Sequence, residues 1–140
     1  MNVDLLEESF DLVAPRGDEF VAVFYGNLFV RVPQVRPLFA HVEMKKQRAM
    51  LLEALVLLRK SLRNLDALVP KLRELGARHV AYGATAEAYP VVGQVLIATM
   101  EQVAGRAWRD EYSDAWAEAY AFVQAVMLEG AAQGEVAAAA

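Results

Sequence analysis

Apolar residues recur at steps of three and four through most of this chain, a pattern that predicts helices from end to end. Val3 to Ala14 forms the first such window, stopped by Pro15 and Gly17. Asp18 to Arg31 follows, with Val21, Tyr25, Leu28 and Phe29 on one face and Val32 continuing it. Pro33 opens a short helix, because proline fits a first turn and breaks an interior; Pro37 and Phe39 then mark a corner. The longest window, about Glu43 to Arg63, carries Leu51, Leu55, Leu58 and Leu62 on a stripe that extrapolates back one turn to Gln47. A second stripe, Leu65, Leu68, Leu72 and Leu75, runs through a helix of about Asp66 to Tyr82, with Pro70 near its first turn and Gly83 as its stop. Two further helices, about Ala88 to Ala104 and Trp108 to Gly130, are separated by Gly105. Residues 131–140, AAQGEVAAAA, are low in complexity and predicted to fray. Strand and hairpin signals are missing, so the expected class is all-α.

The next step along the second leucine stripe lands on His79, one of two histidines in the chain. An imidazole on an apolar face either finds a hydrogen-bond partner in the core or holds something there, and metals are what neutral imidazoles commonly hold. Gln47 and Tyr25 are likewise polar groups on apolar stripes. Taken singly, each has a plain structural reading: a satisfied core histidine, a packed ring with a bonded hydroxyl, a solvated glutamine. His41 lies in a polar corner after Phe39, where an exposed loop imidazole is expected.

Composition narrows the chemistry. With 140 residues the chain fits one domain, and its 56% hydrophobic content has to go inside, since no apolar run approaches the roughly 20 residues of a membrane span. The absence of cysteine excludes disulfides, zinc knuckles, iron–sulfur clusters and thiolate-ligated haem. A formal net charge of -4 argues against nucleic-acid binding. The first ten residues carry Asp4, Glu7 and Glu8 and lack the basic, apolar start of a signal peptide, so a cytoplasmic location is expected.

The segments FYGNLF, VPQVRPLF, LGARHVAYG, AYPVVG and DAWAEAY together resemble the globin family, specifically the bacterial single-domain globins related to flavohaemoglobins. The resemblance implies a three-over-three helical sandwich over residues 1–130 enclosing haem b, with His79 as the proximal iron ligand. Tyr25 matches the distal tyrosine, Pro33 and Phe39 the proline and haem-wedging phenylalanine, Gln47 and Leu51 distal pocket positions, and Tyr89 a proximal tyrosine. Val92 is taken with them as a cofactor-binding residue. Arg78 and Arg48 are candidates for the propionates, and the Leu75 carbonyl is the expected acceptor for the second imidazole nitrogen.

By the same resemblance, the chain is expected to bind dioxygen reversibly at a five-coordinate iron, with Tyr25 and Gln47 as hydrogen-bond donors and oxygen transport or storage as the role. Nitric oxide dioxygenation or nitrite reduction is the enzymatic alternative, with Tyr25 and Gln47 in the catalytic pocket. A gas sensor acting through a partner is a further one. The sequence departs from flavohaemoglobins in two ways. It shows no reductase domain, so turnover would need a separate reductase. The late glutamate that accompanies the proximal tyrosine aligns with Ala131, and Glu129 falls two residues early.

Overall fold

The computed structural model describes the backbone of residues 1–139 and the side chains of residues 1–134. Six α-helices carry the described chain: α1 Val3–Val13, α2 Gly17–Arg31, α3 Met44–Ser61, α4 Leu65–Ala81, α5 Ala88–Ala104 and α6 Asp110–Ala139. The all-α expectation holds, with no strand among the described residues. Three short 3₁₀ segments, Ala14–Arg16, Pro33–Phe39 and Gly105–Ala107, connect them.

Local chemistry explains the boundaries. The Asn2 side chain accepts from the Leu5 N–H at 3.2 Å and caps α1. Pro15 does not open a loop; it sits in a single 3₁₀ turn that passes directly into α2 at Gly17, whose missing side chain leaves room for Leu52 of α3. The end of α4 is a Schellman stop. Gly83 has φ +88, its N–H donates to the Val80 carbonyl at 3.0 Å, and the Ala84 N–H donates to the His79 carbonyl at 3.0 Å.

Helices α1, α3 and α4 stack against α2, α5 and α6, with α4 on α6 the most extensive contact. Two apolar clusters result. The larger is built from α1, α2, α5 and the first half of α6 around Phe20, Met100 and Trp116; the smaller joins Leu68 and Leu72 of α4 to Tyr89, Val126 and Met127. Leu58 of α3 touches both. Polar side chains inside the larger cluster are bonded: Trp116 Nε1 donates to Ser9 Oγ at 2.7 Å, and Ser9 donates to the Leu5 carbonyl at 2.7 Å.

Helix α6 does not stop at Gly130 as its composition suggested. It continues to Ala139, Ala131 is buried, and Gly130 and Gly134 lie directly on α4. The side chains of residues 135–140, the remainder of the expected frayed tail, lie outside the described residues.

Candidate haem site

The two sides of the site are built differently. On the α4 side, His79 Nδ1 lies 2.8 Å from the Leu75 carbonyl oxygen. A carbonyl only accepts, so Nδ1 carries the proton and the neutral ring presents a free lone pair on Nε2. Burial pushes the imidazole below its ordinary pKa, the Leu75 hydrogen bond opposes this, and the charge of Arg78 adds to it. A neutral imidazole with one nitrogen tied back to its own helix is the state in which histidine ligates a metal.

On the other side, Gln47 Nε2 donates to the Tyr25 hydroxyl oxygen at 3.0 Å, joining the start of α3 to the middle of α2. That bond occupies an acceptor position of the phenol and leaves its proton free to donate elsewhere. Burial raises the Tyr25 pKa, partly offset by the Gln47 bond, so the hydroxyl stays protonated at neutral pH. Phe39 packs edge-on to Tyr25 with centroids 5.7 Å apart and to Phe29 at 5.3 Å. Leu38, beside it in the same 3₁₀ corner, reaches the turn after α4: a side chain at position 83 would meet Leu38 Cδ2 at 3.0 Å. The corner therefore runs from the Tyr25 side to the residues just beyond His79.

The remaining expected residues divide. Leu51 and Val92 are half-buried against the larger cluster. Tyr89 stands beside the imidazole, ring centroids 6.3 Å apart, and burial raises its pKa. Its hydroxyl is buried with no partner among the described residues, a state costing about 1–3 kcal/mol. Glu129 does not supply one: it pairs on the surface with Arg73 at 3.2 Å, and Ala131 is buried without a polar group. Arg78 is exposed and Arg48 half-buried, and His41 is exposed in its corner as expected.

Three contributors were not singled out in the sequence. Tyr82 packs on His79 with centroids 5.5 Å apart. Tyr120 donates from its hydroxyl to the Tyr89 carbonyl at 2.6 Å, its ring lying over Gly93, where a Cβ would collide with it. Gly76 brings α4 onto α6 within one turn of His79. The signals available were glycines at interior helix positions, where the residue costs stability unless packing requires it.

These residues fit haem on their own chemistry. The donor is a neutral imidazole with a free Nε2, as a porphyrin iron requires. Apolar side chains of the same two helices, Leu51 and Leu58 on α3 and Leu65 and Leu75 on α4, are only partly covered by protein. A tyrosine proton is available near Gln47. Among the described residues no cluster of histidine, cysteine and carboxylates offers a competing metal site.

Comparison with known proteins agrees with this arrangement. Residues 22–127 match the Globin family model. A flavohemoprotein of Bacillus thuringiensis is 33% identical over 142 residues, covering 95% of this chain and 35% of that protein. A flavohemoprotein of Rhizobium meliloti is 30% identical over 119 residues, covering 84% of this chain and 30% of that protein. The chain thus spans about a third of the length of these curated relatives. An engineered carbene transferase from Rhodothermus marinus, derived from a candidate nitric oxide dioxygenase, superposes with a TM-score of 0.88 at 27% identity, covering 99% of this chain and 96% of that one. A Campylobacter jejuni globin shares the fold at a TM-score of 0.79 and 21% identity, over 94% of each chain. With an all-α fold that superposes on such structures and a family model matched across most of its length, the chain belongs to the globin family.

Proposed function

We propose that this globin binds haem b through His79 Nε2 and holds dioxygen reversibly on the Tyr25 side. The observation that carries the reading is the pairing of a neutral, back-bonded imidazole on α4 with a tyrosine whose oxygen is occupied by Gln47 and whose proton is free. When bound, ferrous haem supplies an open coordination position and electron density for a diatomic ligand. The chain's own residues do the rest. Phe39 and Leu51 wedge and cover an apolar disc, whose burial favours binding by about 25 cal/mol per square ångström removed from water. Tyr25 donates a hydrogen bond to the ligand, and Gln47 aims the phenol while offering a second donor. Val92 and Tyr89 line the proximal side, and Arg78 and Arg48 supply cations for the propionates.

A second reading, nitric oxide dioxygenation with electrons from a reductase, is favoured by the flavohemoprotein relatives and the Rhodothermus neighbour. The same Tyr25 and Gln47 would serve it. Among the described residues the Tyr89 hydroxyl has no partner and Glu129 is engaged by Arg73, so the imidazole has a carbonyl, not a carboxylate, as its acceptor there. A weaker electron push from His79 follows, which favours ligand holding over rapid turnover.

The test mixes the oxygenated ferrous protein with nitric oxide in the presence and absence of a reducing system. Reversible oxygen binding with a single stoichiometric loss of nitric oxide supports the binding reading. Sustained consumption that scales with reductant assigns the chain to the enzymatic one.

A further inference from the structure

We infer that a reciprocal glycine seam between α4 and α6 sets the position of His79, making Gly76 and Gly130 positioning residues for the iron ligand. This deepens the haem reading and rests on it. A Cβ at Gly76 would overlap the Met127 carbonyl and lie 2.7 Å from Met127 Cα. A Cβ at Gly130 would overlap the Arg73 carbonyl and lie 2.7 Å from Arg73 Cα. Each helix thus presents a glycine to the other's backbone. At Gly134 the fit is looser, with Ala77 Cα at 3.2 Å from a Cβ.

Helices that meet through side chains sit about 8–10 Å apart and adjust by rotamer changes. Backbone resting on backbone has no such freedom. His79 follows Gly76 by three residues, about 4.5 Å along the helix axis, and the Schellman stop at Gly83 fixes the turn just beyond it.

The imidazole is hydrogen-bonded to its own helix. Its single hydrogen bond among the described residues goes to the Leu75 carbonyl. The hydroxyl of Tyr89, whose ring stands beside it, makes none among the described residues, and Glu129 is engaged by Arg73. Among the described residues, no side chain of α5 or α6 ties the ring to the rest of the molecule by a hydrogen bond. The height and tilt of the ring follow from where α4 lies, and the seam decides that.

The test is the iron–histidine stretching band of the ferrous, haem-loaded protein. Gly76→Ala and Gly130→Ala shift the band, and Gly134→Ala shifts it less. In a His79→Gly background with free imidazole supplied as ligand, the same substitutions leave the iron–imidazole band unmoved, because the ligand is no longer attached to α4. Seam variants with the wild-type band overturn the inference, as does an equal shift in the imidazole-supplied background. If the two tighter variants do not fold, Gly134→Ala decides alone by the same two criteria. A wild-type protein that leaves the Soret band of added haem unshifted, and so takes up none, contradicts the haem reading instead. The seam is then read in the haem-free chain by solvent exchange of His79 Nδ1–H, accelerated in Gly134→Ala if the seam places the ring and unchanged if it does not.

Discussion

Helices α3 and α4 flank the same candidate site but are held by different forces. Helix α4 buries Leu68, Leu72 and Gly76 and rests backbone to backbone on α6. Helix α3 buries only Leu55; Leu51, Leu52 and Leu58 are half-covered, and Met50 is 55% exposed. Its C-terminal half and the turn that follows are tied to α1 by surface ion pairs, Arg59 to Glu7 and Asp11, and Arg63 to Asp4 and Glu7. Its other end is pinned to α2 by the Gln47 to Tyr25 hydrogen bond. Helix α4, which carries His79, is therefore anchored by close packing on α6, and α3, which carries Gln47, adds polar contacts to a half-covered apolar face. An apolar disc between them would cover the half-exposed Leu51 and Leu58 of α3.

The largest test of this contrast compares one leucine from each helix. In the haem-free chain, Leu72→Ala is expected to cost about 2–5 kcal/mol, as for a filled core position, and Leu51→Ala distinctly less. Haem should narrow the gap by making Leu51 a buried residue. Chemical denaturation of both variants with and without haem measures this, and equal costs in the haem-free chain would remove the distinction.

On the distal side, a hydrogen bond to a charged acceptor is worth roughly 1.5–3 kcal/mol. Tyr25→Phe is accordingly expected to speed oxygen dissociation about tenfold to a hundredfold. Stopped-flow release into a scavenger reads the rate, and an unchanged value would take Tyr25 out of ligand binding.

A smaller effect is expected where α3 meets α1. Partly exposed ion pairs contribute up to about 1 kcal/mol and are screened by salt. Arg59→Ala should lower the melting temperature by a few degrees at low ionic strength and by less at high. A loss that ignores salt would mean that the arginine stem packs on α1 more than its charge pairs.

The smallest effect is a pH dependence. Burial raises the Tyr25 pKa above its ordinary 10.0 and also raises that of Tyr120. Groups with raised folded values give stability that is fully present below the unfolded pKa and lost as pH rises through the folded one. Between pH 7 and 9 both tyrosines should contribute constant stability, with the loss beginning above about pH 10. Tyr25→Phe and Tyr120→Phe should flatten that alkaline limb.

The fold was legible where burial and periodicity coincide. The α5 boundaries, the leucine stripe leading to His79 and the Gly83 stop all follow from residue pattern, and the Leu75 acceptor one turn before the imidazole is where the globin resemblance implied it. The end of α6 was not, because glycine and alanine there look like a frayed tail in sequence. In the structure Gly130 and Gly134 are small because another helix backbone occupies the space. Pairings between distant helices were hidden for a related reason. Nothing local in the sequence marks the hydroxyl of Tyr120 as partner to the Tyr89 carbonyl, or Glu129 as partner to Arg73, since each depends on how α6 crosses its neighbours. The site's roles came from the combination of Tyr25, Phe39, Gln47, Leu51 and His79, not from any one of them.

The central claim is that His79 Nε2 is the axial ligand, and the ferrous spectrum of the haem-loaded chain tests it most directly. The wild type should show a five-coordinate, high-spin spectrum with an iron–histidine stretching band. His79→Gly should lose that band and recover an imidazole-ligated spectrum when free imidazole is added. A His79→Gly protein that keeps the wild-type spectrum without added imidazole would contradict the account, because some other residue would then hold the iron.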